Sequence, residues 1–455
     1  MKDAAESFDA RLAEIRAANP ALEAAEVYVT DLNTTVRGKL VPIEMLAKLG
    51  QGRMRLPTSS LALDIFSMDV AEAGLALERG DPDGILVPIA DSVAPMLWTD
   101  RPTLQVQCML AEPDGMICTI DPRGVLMRVI EKATAMALTP VMALELEFYL
   151  IDAERAAPPT NPLAGGRLNR AQVYDLDVMR AFAPVIDEIG AAARALGAPA
   201  DTAICEFGPG QFEINLAHTA SAMRACDHIV ALRRAIRGVA RRHGLDATFM
   251  AKPFGDMAGS GQHLHLSLLG ADGAPIFAMS APEGGPNATL RAAVAGVLDS
   301  LGEAMLLQAP HLNSYRRFSP GSYAPLVAAW GLDNRGVAVR LPESTGPAAR
   351  LEARLAGADA NPYLLAAAVL AGALAGIQAG SEPPPPIAAE AGPGDGAPLP
   401  LSWAMAEHRF SQSAFAADWL GTEFARVYGA MKRQERATLM SRVPDIEYDA
   451  YLRTV

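Results

Sequence analysis

Residues Val141-Met142-Ala143-Leu144-Glu145-Leu146-Glu147-Phe148-Tyr149-Leu150 alternate acidic and apolar side chains at a period of two. In an extended strand that period puts Glu145 and Glu147 on one face and Leu144, Leu146 and Phe148 on the other, so the segment predicts a sheet with one ionic and one buried face. The device recurs. Gln211-Phe212-Glu213-Ile214-Asn215-Leu216 opposes Glu213 to Phe212 and Ile214, with Glu206 just upstream. Gln262-His263-Leu264-His265-Leu266-Ser267-Leu268 aligns two imidazoles and a hydroxyl, and Arg350-Leu351-Glu352-Ala353-Arg354 sets a carboxylate between two guanidinium groups. For a single strand the ordinary explanation is a solvated face. Four such strands place carboxylates side by side, and these repel unless a cation lies between them. Many glutamate oxygens with one or two imidazoles suit Mg²⁺ or Mn²⁺ better than Zn²⁺.

The chain has 455 residues, room for two domains with ample core. A helix is expected over about 7–18, followed by short β-type runs at 26–29, 61–66, 85–89 and 104–110 separated by Asp-Pro-Asp-Gly and Glu-Pro-Asp-Gly turns. These predict a small strand-rich domain over 1–115 and a larger domain over 116–455. From Asp121-Pro122 onward, helices of ten or more residues alternate with strands; the clearest spans 219–243 and is closed by Gly244. Loops are expected at 156–168 and in the Pro/Gly-rich segment 379–400. The apolar run 364–377 reads as a core helix, too short to span a bilayer.

A formal net charge of −13 argues against nucleic acid or an anionic membrane as the main partner. Four cysteines without CxxC spacing and the lack of a basic-then-apolar leader point to a reducing, cytoplasmic setting. Arg316-Arg317, Arg335 and Arg340 lie in Gly/Pro/Ser-rich segments, and planar guanidinium forks hold carboxylates and phosphates. Divalent cations with arginines around an acidic face describe a phosphoryl-transfer site. There is no Walker-type glycine loop, so the chain is not a P-loop enzyme.

These segments, together with Phe249-Met-Ala-Lys252-Pro253, Gly259-Ser-Gly-Gln-His263, Asn313-Ser-Tyr-Arg316-Arg317, Asn334-Arg335 and Ala360-Asn361-Pro362-Tyr363, closely resemble the glutamine synthetase family in their order along nearly the whole chain. The resemblance implies an α+β fold, with a β-grasp N-terminal domain beside a catalytic domain built on a curved antiparallel sheet with surrounding helices. It implies that Glu147, Glu206 and Glu213 hold one divalent ion and that Glu145, His263 and Glu352 hold a second. It further implies that His265 and Ser267 contact ATP, that Arg335 and Arg340 face its phosphates, and that Gly259, Arg317 and Arg354 grip glutamate. ATP would then convert glutamate to γ-glutamyl phosphate, which an amine attacks. A homo-oligomer is also implied, a dodecamer of two stacked hexameric rings.

Two positions depart from ammonium-using members. Pro57 stands where an acid of the ammonium loop precedes the Ser59-Ser60 pair, and Tyr323 stands two residues before Pro325 where the family has a catalytic glutamate. No tyrosine occurs in 379–400, so adenylylation of a loop tyrosine has no acceptor there. The best resemblance is to the bacterial γ-glutamylputrescine synthetases, through motifs such as Thr30-Asp-Leu-Asn33, Arg37-Gly-Lys39 and Ala62-Leu-Asp64-Ile. The expected acceptor is therefore putrescine or another polyamine, with Glu206 taking the amine proton and Tyr323 positioning the amine. The alternatives are an ammonium-using glutamine synthetase, a non-catalytic relative, and a metal-dependent amidohydrolase suggested by His263-x-His265; glutamate-dependent ATP consumption separates the ligases from the others.

Overall fold

The computed structural model describes residues 2–278, 284–388 and 396–455. Its first sheet comprises β1 (Ala24–Thr30), β2 (Val36–Pro42), β3 (Arg55–Pro57), β4 (Asp83–Pro88), β5 (Ala94–Pro95) and β6 (Thr103–Ala111). The strand order is β2-β1-β6-β4-β3 with β5 on β6; β1 and β6 run parallel and the other pairs antiparallel. Helix α1 (Lys2–Ala18) buries Phe8, Leu12 and Ile15, and the short α2 (Leu46–Gly50) buries Leu46 and Leu49.

The expected strand at 61–66 does not form. A 3₁₀ turn occupies Thr58–Leu61, and the Asp64 carboxylate then accepts from the backbone N–H of Phe66 and Met68. Such local side-chain bonds compete with a ladder, and here they close a loop instead.

The second sheet comprises β7 (Thr139–Asp152), β8 (Ala200–Cys205), β9 (Gln211–Leu216), β10 (Leu245–Thr248), β11 (Leu264–Leu269), β13 (Trp330–Leu332), β14 (Val339–Glu343) and β15 (Arg350–Ala353), with β12 (Val327–Ala328) and β16 (Ala397–Pro398) forming a separate pair. Its order is β13-β14-β15-β11-β7-β9-β8, with β10 on the far end of β7. All its pairs are antiparallel, as expected, except β13 and β14, which run parallel. Register shifts between Arg340 and Glu343 and between Ala200 and Thr202 add curvature, as bulges do. Along β7 the burial alternates residue by residue from Pro140 to Phe148, so the period-two reading holds.

The helices are α3 (Pro122–Ala135), α4 (Leu176–Ala195), α5 (Ala222–Arg242), α6 (Ala288–Gln308), α7 (Pro362–Ala379), α8 (Trp403–Ser411), α9 (Thr422–Met440) and α10 (Asp445–Tyr451). Asp121 caps α3 through the N–H groups of Arg123 and Gly124, with Pro122 at the first turn. Helix α5 begins at Ala222, later than expected, because Ser221 is its cap; Gly244 follows at φ +69. Helix α7 is longer than the 364–377 run: 18 residues with mean hydropathy 1.6, enough by length to cross a membrane. Its apolar character is explained by packing, since 78% of it is buried, chiefly against α6.

Of the two expected loops, 156–168 is closed by a single bridge between Thr160 and Arg167. In 379–400, residues 389–395 lie outside the described residues; before them Ile387 N–H donates to Trp330 O, and after them β16 pairs with β12. The four cysteines are free and buried.

Candidate active site

β7 is longer than any strand beside it. β11 pairs with Thr139–Leu144, and β10 with Tyr149–Asp152. In the gap the N–H of Glu145 donates to His263 O and that of Glu147 to Gly261 O, so the 259–263 loop takes the place of a strand beside both acids. On the opposite edge β9 sets Glu213 directly across from Glu147 and Asn215 across from Glu145. Strand register, a non-local property, thus brings together side chains that alternation had only assigned to a face.

His263 sits at the centre. Its Nδ1 is 3.2 Å from Glu145 Oε2 and 3.9 Å from Glu352 Oε1. Possible ligand atoms of Glu145, His263 and Glu352 lie within 4.8 Å of one another, as do those of Glu147, Glu213 and His263. The second expected triad is therefore assembled whole. Of the first, Glu147 and Glu213 meet around His263, whereas Glu206 stands in the turn before β9 outside that grouping, close enough for its charge to act on Glu147.

The electrostatics show what such crowding costs. Burial, followed by the charges of Glu145, Glu147 and Glu206, pushes Glu213 up to about 9; burial and Glu147 push Glu206 up to about 7. Burial also disfavours ionised Glu145, but the hydrogen bonds from His263 and His265 outweigh it and hold that carboxyl far below the usual range. Glu352, buried too, is held low chiefly by Arg354 and His263. A set of glutamate oxygens around one imidazole, with two carboxylates driven toward their neutral forms by their neighbours, fits a hard divalent cation such as Mg²⁺ or Mn²⁺. When bound, such an ion supplies positive charge between two anionic substrates.

The remaining expected residues surround this cluster. His265 Nε2 lies 3.0 Å from Glu145 Oε1, and Ser267 follows on the same face of β11; both line a cavity of about 900 Å³ that reaches Glu145. Arg317 is 7% exposed and donates to Leu355 O at 3.0 Å. A Cβ on Gly259 would lie 2.7 Å from Arg317 Cγ and 2.8 Å from Ala251 O, so glycine is what lets the loop lie against that arginine. Arg354 pairs with Glu352 and donates to Arg335 O. Arg340 bridges Glu352 at 2.8 Å and Asp333 at 2.5 Å, and Arg335 is exposed with its charge felt at Glu206. Tyr323 is 75% exposed, so packing in the core does not account for it. Pro57 belongs to the edge strand β3 of the first sheet.

Two residues of the quoted strands had been given no role of their own. Gln211 donates through Nε2 to Glu147 Oε2 (3.1 Å) and Gly259 O (3.0 Å), fastening the loop to the acid. Arg350 donates to His265 Nδ1 at 3.3 Å and lines the large cavity; its place two residues before Glu352 on one strand face was the available signal.

Residues 119–451 match the glutamine synthetase catalytic domain. The chain is 38% identical to γ-glutamylputrescine synthetase PuuA of Escherichia coli K12 over 95% of this chain and 92% of that protein, and 30% identical to glutamate–isopropylamine ligase of a Pseudomonas species over 95% of each. A solved GmaS/ADP complex superposes with TM-score 0.85 at 27% identity, covering 97% of this chain and 99% of that one. With this cluster, this fold and these matches, the chain belongs to the glutamine synthetase family of ATP-dependent ligases.

Proposed function

We propose that this enzyme activates glutamate with ATP and joins it to a primary amine, with putrescine or another polyamine as the acceptor. The observation that carries the reading is the carboxylate cluster around His263, whose Glu145 lines a cavity of about 900 Å³ together with His265 and Ser267. In this reading Glu147, Glu206 and Glu213 hold one divalent ion, and Glu145, His263 and Glu352 hold a second. His265 and Ser267 meet the nucleotide, Arg335 and Arg340 turn to its phosphates, and Gly259, Arg317 and Arg354 receive glutamate. Because Arg340 and Arg354 are paired with Glu352, substrate binding competes with these internal ion pairs. Residues 1–115 form the β-grasp domain and 116–455 the catalytic domain of a cytoplasmic dodecamer of stacked rings, whose mass light scattering would measure.

The amine assignment rests on Pro57 and Tyr323, together with the substrates named for the relatives. A site for ammonium needs carboxylates to hold the cation and accept its proton. A proline and an exposed tyrosine, 75% accessible in this chain, offer instead an apolar wall for an alkyl stem. Glu206, raised by burial and by Glu147, is the assigned proton acceptor. The test is phosphate release dependent on ATP and glutamate across a panel of amines. Putrescine is expected to exceed ammonium at least about tenfold in kcat/KM, a difference of about 1.4 kcal/mol. If ammonium ranks first, the enzyme is a glutamine synthetase with an altered pocket.

Arg317→Ala should raise the KM for glutamate by about 10- to 100-fold, the effect of losing a charge-assisted pair, while kcat changes much less. A loss confined to kcat would remove Arg317 from glutamate binding.

A further inference from the structure

The Pro/Gly-rich segment after α7 is fastened to the catalytic sheet by side chains that have no other task in the site. Pro383 to Pro386 offer no N–H, so this stretch cannot build a ladder of its own and depends on donors from the body of the protein. Trp330 of β13, 4% exposed, donates through Nε1 to Pro384 O at 2.6 Å, and its carbonyl accepts from Ile387 N–H at 2.8 Å. Asn334, 8% exposed, donates through Nδ2 to Ile387 O at 3.3 Å and to Ala388 O at 3.2 Å. A Cβ on Gly331 would lie 2.6 Å from Ile387 O, so glycine is what lets the segment approach β13 this closely. Residues 383–388 thus form a strap across β13 and the loop that follows it.

That loop carries Arg335. Asn334 Oδ1 accepts from Gly336 N–H at 2.8 Å, so one carboxamide holds the turn around the arginine with its oxygen and the strap with its nitrogen. Arg335 O accepts from Arg354 Nε at 3.2 Å, which fixes the backbone from the other side. Arg340 hangs on the same frame. It lies across from Gly331 in the β13–β14 pair, and its Nη2 donates to Asp333 Oδ1 of the loop at 2.5 Å.

We propose that Asn334 is a positioning residue for Arg335: through the Ile387 and Ala388 carbonyls it lets the seated strap hold this arginine ready for the nucleotide phosphates. The inference rests on the proposed meeting of Arg335 with the nucleotide. Arg335 is exposed, and ordering a long exposed side chain and its loop around an anion costs conformational entropy. A backbone fixed on both sides has already lost much of that freedom. Coupling between two sites is reciprocal, so bound nucleotide should seat the strap as the strap favours the nucleotide.

The test is Mg-ADP binding to the full chain by calorimetry, together with amide hydrogen exchange at Ile387. In the unaltered protein ADP is expected to slow that exchange at least about threefold. Asn334→Ala should weaken ADP binding about tenfold, the effect of losing hydrogen bonds of ordinary strength, and should raise the KM for ATP more than it lowers kcat. Trp330→Phe removes the donor to Pro384 O without altering Asn334 or Arg335. It should speed Ile387 exchange and weaken ADP binding about threefold, and it carries the test if Asn334→Ala fails to fold. Arg335→Gln serves as the reference. If that variant binds ADP normally, the arginine does not meet the nucleotide, and the strap inference falls with the reading beneath it. If Arg335→Gln weakens ADP binding while Asn334→Ala and Trp330→Phe bind normally, or if ADP leaves Ile387 exchange unchanged, the strap inference alone is overturned.

Discussion

Glu147→Ala is expected to reduce glutamate-dependent phosphate release by about three orders of magnitude or more at saturating Mg²⁺, a barrier increase of about 4 kcal/mol. Glu147 does more than contribute one oxygen to the cluster. Its Oε2 accepts from Gly261 N–H at 2.9 Å and from Gln211 Nε2 at 3.1 Å, and Gln211 in turn holds Gly259 O. Removing the carboxylate therefore loosens the loop beside Arg317 as well as depriving a hard cation of a ligand. Glu147→Gln keeps the shape but loses the charge, and it should remain at least about 100-fold impaired if charge is what matters. Both variants should melt within a few degrees of the unaltered protein. Turnover within tenfold of normal for Glu147→Ala would place this residue outside the chemistry.

Gly376→Leu should yield no folded protein. Helices α6 and α7 cross with their backbones in contact: a Cβ on Gly376 would lie 2.0 Å from Ala292 O and 2.7 Å from Gly296 N, and one on Gly296 would lie 2.1 Å from Gly372 O. The obstructing atoms are backbone, so a side-chain rotation cannot relieve the clash, and separating the helices would open the core around Leu301, Leu365 and Leu370. Gly376→Ala alone is expected to cost about 3 kcal/mol, the upper end of ordinary overpacking, and Leu far more. Gly255→Ala is the control, because nothing lies within 4 Å of its Cβ position and a change of no more than about 0.5 kcal/mol is expected. Soluble Gly376→Leu protein with a near-normal melting temperature would show that the helices can part at little cost.

Much of this protein was determined by local pattern. The period of two in 141–150 fixed which side chains of β7 face the core and which face the site, and the same rule gave Glu213, His265 and Glu352 to the ionic faces of their own strands. The long apolar helix, the proline-started α3 and the glycine after α5 were legible for the same reason, since helix faces and caps depend on residues within a few positions. Local pattern misjudged 61–66, where apolar alternation suggested a strand but Asp64 turned the backbone onto its own carboxylate.

Tertiary structure alone decided the rest, because register and crossing geometry join residues far apart in the chain. It set Glu147 against Glu213, put His263 between two groups of acids, and gave Arg340 to Glu352 and Asp333. It left Tyr323 exposed and buried Arg233 against Ala358 O, neither of which a local pattern settles. A charge announces its type in the sequence, but its solvation and its partners exist only once the chain has closed around it.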